Sequence, residues 1–116
     1  MSGIVFFKTK NCAILKDFYA AKLDCKIWLE QKDCLILRHG NFLFGFCERA
    51  EIETCGILTF FYENKTDVDA MYKIMKDTAD DAPRENEKYK IYQFFAKDPE
   101  ERMLEFQYFL HPVKEI

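Results

Sequence analysis

Only two of the 116 residues are histidines, His39 and His111, and that scarcity narrows the chemistry open to the chain. A Cys–His nucleophile pair would have to recruit one of them, and nothing in the sequence brings either close to a cysteine. No glycine-rich dinucleotide fingerprint, phosphate-binding loop, G-x-S-x-G elbow or H-E-x-x-H helix occurs. No run approaches the roughly twenty apolar residues of a membrane span. The opening Met1-Ser2-Gly3 lacks the charged and apolar stretches of an export signal. Charges of both signs are scattered along the chain for a net −3. With no basic stripe, nucleic acid is not an expected partner. Five cysteines (Cys12, Cys25, Cys34, Cys47 and Cys55) lie far apart with no C-x-x-C pair. An odd number without a framework predicts free thiols in a reducing cytoplasm, mostly as small buried hydrophobes.

What is present describes a globular domain. The chain is 49% hydrophobic and 32% charged, and its length suits one domain over residues 1–116. Twelve Phe and six Tyr are an unusually high aromatic content; most are expected in the core, and the surplus suits an aromatic-lined pocket or interface.

The most informative feature is a self-similarity at a shift of fifty-three residues. Ile4-Val5-Phe6-Phe7 falls on Ile57-Leu58-Thr59-Phe60, Asn11 on Asn64, Leu15 on Val68, Phe18 on Met71 and Tyr19 on Tyr72. Leu15, Phe18, Tyr19 and Leu23 form one apolar helix face, and Val68, Met71, Tyr72 and Met75 form another. Asn11 suits the first helix N-cap, and Asn64, Thr66 or Asp67 the second. Strands are expected over 26–29, 34–38 and 42–47 after the first helix. After the second they are expected over 89–95 and 103–109, with only a marginal strand in the polar 80–88 stretch. The chain therefore reads βαβββ–βαβββ, an α+β fold of two tandem modules (residues 3–48 and 56–110) forming a curved mixed sheet around a cleft.

Alternation along the strands assigns faces. Phe42, Phe44 and Phe46 share one face and Leu43, Gly45 and Cys47 the other. Leu104, Phe106 and Tyr108 oppose Met103, Glu105 and Gln107. The uniformly apolar faces are expected under the helices, which turns Glu105 into the concavity. Phe6 and Phe61 share the parity of Ile4 and Ile57 and are expected on the same side.

A helix carrying Phe18-Tyr19 and Leu23, then a second copy ending in Asp98-Pro99-x-x-x-x-x-Glu105-Phe106, resembles the vicinal oxygen chelate superfamily. That superfamily includes lactoylglutathione lyases, extradiol dioxygenases, fosfomycin-modifying enzymes and bleomycin-binding resistance proteins. The resemblance covers nearly the whole chain. It implies paired βαβββ modules, often completed in a dimer, and in its metalloenzymes ligands from the first and last strands of each module. Those positions fall at or near Ile4 and Ile57, on Glu105, and near Leu43 or Gly45. Only Glu105 could bind a metal, whereas a divalent site needs about three or four N/O ligands. A metal site would require a second subunit. The chain also departs from the family at Glu101-Arg102, where Gly-Asn is common and Gly supplies the positive φ of the turn.

These readings give a metal-independent small-molecule binder without cofactor, resembling the bleomycin-resistance branch. A homodimer taking an aromatic or cationic compound is expected. The candidate ligand-binding residues are Phe6, Trp28, Leu43, Phe61, Tyr92, Glu105 and Gln107, with Arg38 a candidate anion clamp. Glu105 is the one catalytic candidate. The alternatives are a divergent metal-dependent lyase, isomerase or dioxygenase using Glu105, and an interaction module whose cleft is filled by its own side chains.

Overall fold

The computed structural model describes residues 1–116 and divides into two compact units. The first comprises Met1–Cys55 with Asp98–Glu101, and the second Gly56–Lys97 with Arg102–Ile116. Each unit holds one helix and one mixed four-stranded sheet, so the α+β architecture of two βαβββ modules is observed.

In the first unit the elements are β1 (Ile4–Thr9), helix α1 (Cys12–Lys16), β2 (Lys26–Glu30), β3 (Cys34–His39) and β4 (Phe42–Glu48). Asn11 caps α1 as its side-chain oxygen accepts hydrogen bonds from the N–H groups of Ala13 and Ile14 at 3.0 and 3.2 Å. The helix then widens into a π-helix over Asp17–Lys22, where the sequence periodicity predicts ordinary α-helix. The wider winding is visible in the Leu23 N–H, which reaches back to the Phe18 carbonyl at 3.0 Å. It still buries Leu15, Phe18, Tyr19 and Leu23 together. Tyr19 packs on Phe44 and Phe46 at centroid separations of 5.3 and 5.2 Å, so this face of β4 lies under the helix. Each such fully buried side chain contributes about 1.5–3 kcal/mol of apolar burial. The sheet order is β1-β4-β3-β2, with β1 parallel to β4. The outer edge of β1 is partly covered by the connecting segment. The Lys8 N–H donates to the Glu53 carboxylate at 2.8 Å, and the Glu53 N–H to the Lys8 carbonyl at 3.0 Å.

Two motif residues of the resemblance meet in this unit. The Tyr19 hydroxyl donates to the Asp98 carboxylate at 2.7 Å, both side chains being buried. Asp98 also accepts from the Glu100 N–H at 2.8 Å, and Glu100 accepts from the Thr9 hydroxyl at 2.5 Å. The tight turn forms although it lacks glycine: Glu101 itself takes the left-handed conformation, with φ of 69°.

The cysteine expectation needs correction. Cys34 and Cys47 are bonded as a disulfide, and only Cys12, Cys25 and Cys55 are free. The two stand directly opposite one another in the β3–β4 register, a pairing that emerges only once the hairpin is aligned. Spacing along the chain does not reveal it.

The second unit repeats the plan with β5 (Ile57–Phe61), helix α2 (Lys65–Met75), β6 (Arg84–Asn86), β7 (Ile91–Lys97) and β8 (Met103–Phe109), in sheet order β5-β8-β7-β6. Asn64 occupies the N-cap of α2 but makes no capping bond, and its amide instead donates to Asp67 at 3.3 Å. Val68, Met71 and Met75 are buried. Phe94 stacks on Phe106 at 4.9 Å and meets Tyr72 of α2 edge-on at 5.5 Å. That contact puts Phe94 and Phe106 under the helix, and alternation sends Gln93, Phe95, Glu105 and Gln107 to the opposite, open face. The polar 80–88 stretch supplies the three-residue strand β6.

Candidate functional site

The open face of the second sheet carries a cavity of about 660 Å³ lined by Arg84, Glu85, Asn86, Tyr89, Ile91, Gln93, Phe95, Glu105, Gln107 and Phe109. Glu105, at the centre of β8, is paired with Thr59 on β5 and Phe95 on β7. One carboxylate oxygen accepts from the Thr59 hydroxyl at 2.9 Å, and the other accepts from the Gln93 amide. The Gln93 oxygen in turn accepts from the Asn86 amide at 2.9 Å. The Asn86 oxygen accepts the backbone N–H groups of Lys88 and Tyr89 at 3.1 and 3.3 Å.

This chain of bonds has one direction. Two backbone donors fix the Asn86 oxygen, so its nitrogen must point at Gln93, and the nitrogen of Gln93 must point at Glu105. A turn backbone thus orients a carboxylate two strands away. Glu105 is half-buried, both of its oxygens accept hydrogen bonds from neutral groups, and no Lys, Arg or His forms an ion pair with it. The other charged groups on the wall are matched elsewhere: Arg84 pairs with Asp80 at 2.8 Å and Glu85 with Lys65 at 3.6 Å. The site therefore presents one unneutralised carboxylate among amides and the rings of Tyr89, Phe95 and Phe109.

Of the residues singled out from sequence, Glu105 and Gln107 line this cavity. Phe61 instead packs against Phe109 at 5.4 Å and lines a neighbouring cavity of about 750 Å³ with His111 and the C-terminal residues. Tyr92 shares the helix-side parity of Phe94. Its hydroxyl donates to Asp69 of α2 at 2.5 Å, a bond that with burial raises its pKa to about 12, and Lys65 lies 4.5 Å from its ring centre. Phe6, Leu43 and Trp28 belong to the first unit. Trp28 is 51% exposed at an irregularity in the β2–β3 pairing. Arg38 lies on β3, paired with Lys26 and Leu43. Asn86, Gln93, Thr59, Phe95 and Tyr89 were not singled out. The signal for Gln93 and Phe95 was present, because Tyr92-Phe94-Ala96 is a uniformly apolar alternate set whose complement is Ile91-Gln93-Phe95.

The same register in the first unit carries different chemistry. There Phe6 pairs with Gly45 where Thr59 pairs with Glu105, and Cys34 pairs with Cys47 where Gln93 pairs with Gln107. The ring of Phe6 covers Gly45 so closely that a Cβ there would lie 2.6 Å from it. One repeat thus has a carboxylate on its open face and the other an aromatic ring over a glycine.

These residues do not fit a divalent metal. No three His, Cys, Asp or Glu side chains converge anywhere in the chain, and the partners of Glu105 are a hydroxyl and an amide already hydrogen-bonded to it. The first-strand positions Ile4 and Ile57 offer no donor atoms.

No family model matches the sequence, and no curated protein matches it. Solved structures do match in fold. A glyoxalase/bleomycin resistance protein/dioxygenase family enzyme from Burkholderia phytofirmans superposes with a TM-score of 0.78 at 19% identity, covering 90% of this chain and 95% of that one. A glyoxalase/bleomycin resistance protein/dioxygenase from Alicyclobacillus acidocaldarius gives 0.73 at 19% identity, covering 96% and 92%. A lactoylglutathione lyase from Agrobacterium tumefaciens gives 0.74 at 12% identity, covering 93% and 92%. The chain has the glyoxalase/bleomycin-resistance fold.

Proposed function

We propose that this chain is a metal-independent small-molecule-binding protein that uses the open face of its second sheet to hold a planar organic cation. The observation that carries the reading is Glu105: a half-buried carboxylate, fixed by Thr59 and Gln93, with no cation of its own and aromatic side chains beside it. A charge removed from water without a counter-ion is costly, and a ligand cation entering the cavity offsets that cost. Phe95 offers a ring for stacking and cation–π attraction of about 0.5–2 kcal/mol, and a ligand would exchange with the Lys88 ammonium that lies 5.2 Å from the Tyr89 ring centre. Asn86 and Gln93 hold the carboxylate still, so little ordering is left to be done on binding.

We read the working form as a cytoplasmic homodimer. Supporting this, Ile4, Phe6 and Leu29, whose partners Leu43, Gly45 and Ile36 share the face of the first sheet away from the helix, are each more than a third exposed and offer apolar side chains to a second copy. No helix is long and apolar enough to cross a membrane. Sedimentation equilibrium at micromolar concentration should give twice the chain mass, and a monomer would remove the dimer from the account.

Metal independence is tested by elemental analysis after exposure to zinc, nickel, manganese and iron(II). The expected result is no retained stoichiometric metal. About one ion per chain or per dimer, lost in Glu105→Ala, would instead favour a metal-dependent enzyme.

A further inference from the structure

We propose that Cys34 and Cys47 form a reversible dithiol–disulfide site on the open face of the first sheet, opened and closed by low-molecular-weight thiols and disulfides. The bond joins directly opposed residues of β3 and β4. Its sulfurs lie on the face away from the helix, because Phe44 and Phe46, the alternate residues of β4, are the ones that Tyr19 packs against. Both cysteines are half-buried rather than sealed in the core, which gives a small thiolate a way in.

The strands do not depend on the bond for their alignment. Six paired positions from Cys34–Cys47 to His39–Phe42 hold the hairpin, and the Cys12 thiol donates to the carbonyls of Phe46 and Asp33 at the same end of the sheet. After reduction the ladder keeps the two Cα atoms in register, so the thiols remain opposed and the bond can re-form in place. Two of the three remaining cysteines compete poorly. Burial, with Glu48, Asp33 and Glu100 nearby, raises the Cys12 pKa, and burial beside Asp24 raises that of Cys25 to about 12. Both are thereby poorer nucleophiles, and the exposed Cys55 is told apart from the pair by its own mapped label.

The chemistry balances with a small thiol as reductant. One thiolate attacks a sulfur of the pair, forming a mixed disulfide and releasing the other cysteine as thiolate, which takes up a proton. A second small thiolate attacks the small-molecule sulfur of the mixed disulfide and frees the remaining cysteine. Two small thiols become one small disulfide, and two electrons and two protons end on Cys34 and Cys47. Oxidation by a small disulfide runs the same steps backwards.

The test equilibrates the native full chain in mixtures of reduced and oxidised glutathione, quenches in acid, alkylates under denaturing conditions and maps the labels by mass. As the mixture becomes reducing, Cys34 and Cys47 should become alkylated together in one step, mapped separately from the exposed Cys55, with the circular dichroism spectrum unchanged. The double variant Cys34→Ser, Cys47→Ser should show no such step. If it fails to fold, the wild-type labelling decides alone. A bond that opens only in denaturant, free Cys34 and Cys47 even in excess oxidised glutathione, or a bond mapped to another pair would each overturn the proposal.

Discussion

Phe6 lies over Gly45 in the first repeat where Thr59 donates a hydrogen bond to Glu105 in the second. The two repeats share strand order and register but not the chemistry of the open face. Gly45 is required here by space rather than by backbone conformation. A methyl group there would sit 2.6 Å from the Phe6 ring and 3.1 Å from the Leu35 carbonyl oxygen. Gly45→Ala should therefore destabilise the protein by about 1 kcal/mol, the low end of the cost of overpacking because the exposed Phe6 ring can turn aside, read as a shifted midpoint in urea. Adding Phe6→Leu should recover part of that loss, and full wild-type stability for Gly45→Ala would show that the ring is not held on the glycine.

The Tyr19–Asp98 bond is buried and joins residues seventy-nine positions apart. Removing the hydroxyl takes a donor from a buried carboxylate, so Tyr19→Phe should cost about 1–3 kcal/mol. An unchanged urea midpoint would mean that the bond contributes nothing net.

At Glu101 the prediction has the opposite sign. A residue with a Cβ in the left-handed region costs about 1–2 kcal/mol, and the side chain of Glu101 is exposed. Glu101→Gly should stabilise the fold by about 0.5–1 kcal/mol after glycine's extra chain entropy is charged against it. A destabilised variant would show that the Glu101 side chain makes a contribution larger than its backbone strain.

Stability should fall in alkali. Tyr92 is raised to about 12 by its bond to Asp69 and by burial, and Cys25 to about 12 by burial beside Asp24. Both folded pKa values lie above the ordinary 10 and 9, so the folded state binds more protons than the unfolded state in that range. Their contribution is fully present below about pH 9 and is lost as pH rises towards 12. Asp69→Asn should flatten the part of the decline above pH 10, where Tyr92 titrates. An unaltered decline would assign it to other groups.

The sequence made the frame legible because burial writes itself as periodicity. The fifty-three-residue repeat and the alternation of Leu104, Phe106 and Tyr108 against Glu105 and Gln107 carry the fold and place Glu105 on the open face. Applied to β7, the same rule assigns Tyr92 to the helix side, although an aromatic residue near the end of a module invites a pocket reading. Asn86 and Gln93 escaped notice because an amide in a polar stretch looks like any solvated side chain until the turn it bonds to is known. The Cys34–Cys47 pair depends on a cross-strand register that spacing alone leaves open. The π-helix of Asp17–Lys22 is hidden because Leu15, Phe18, Tyr19 and Leu23 suit either winding.

Whether the carboxylate of Glu105 holds an organic cation without metal decides the proposed function. The most direct measurement is a fluorescence titration of the metal-stripped protein with proflavine, run in parallel on Glu105→Gln. Saturable binding by the wild-type protein is expected, with at least about tenfold weaker binding by the variant, the loss of about 1.4 kcal/mol or more expected from one charge-assisted contact. Equal affinity in both proteins, or binding that appears only after zinc or nickel is added back, would contradict it.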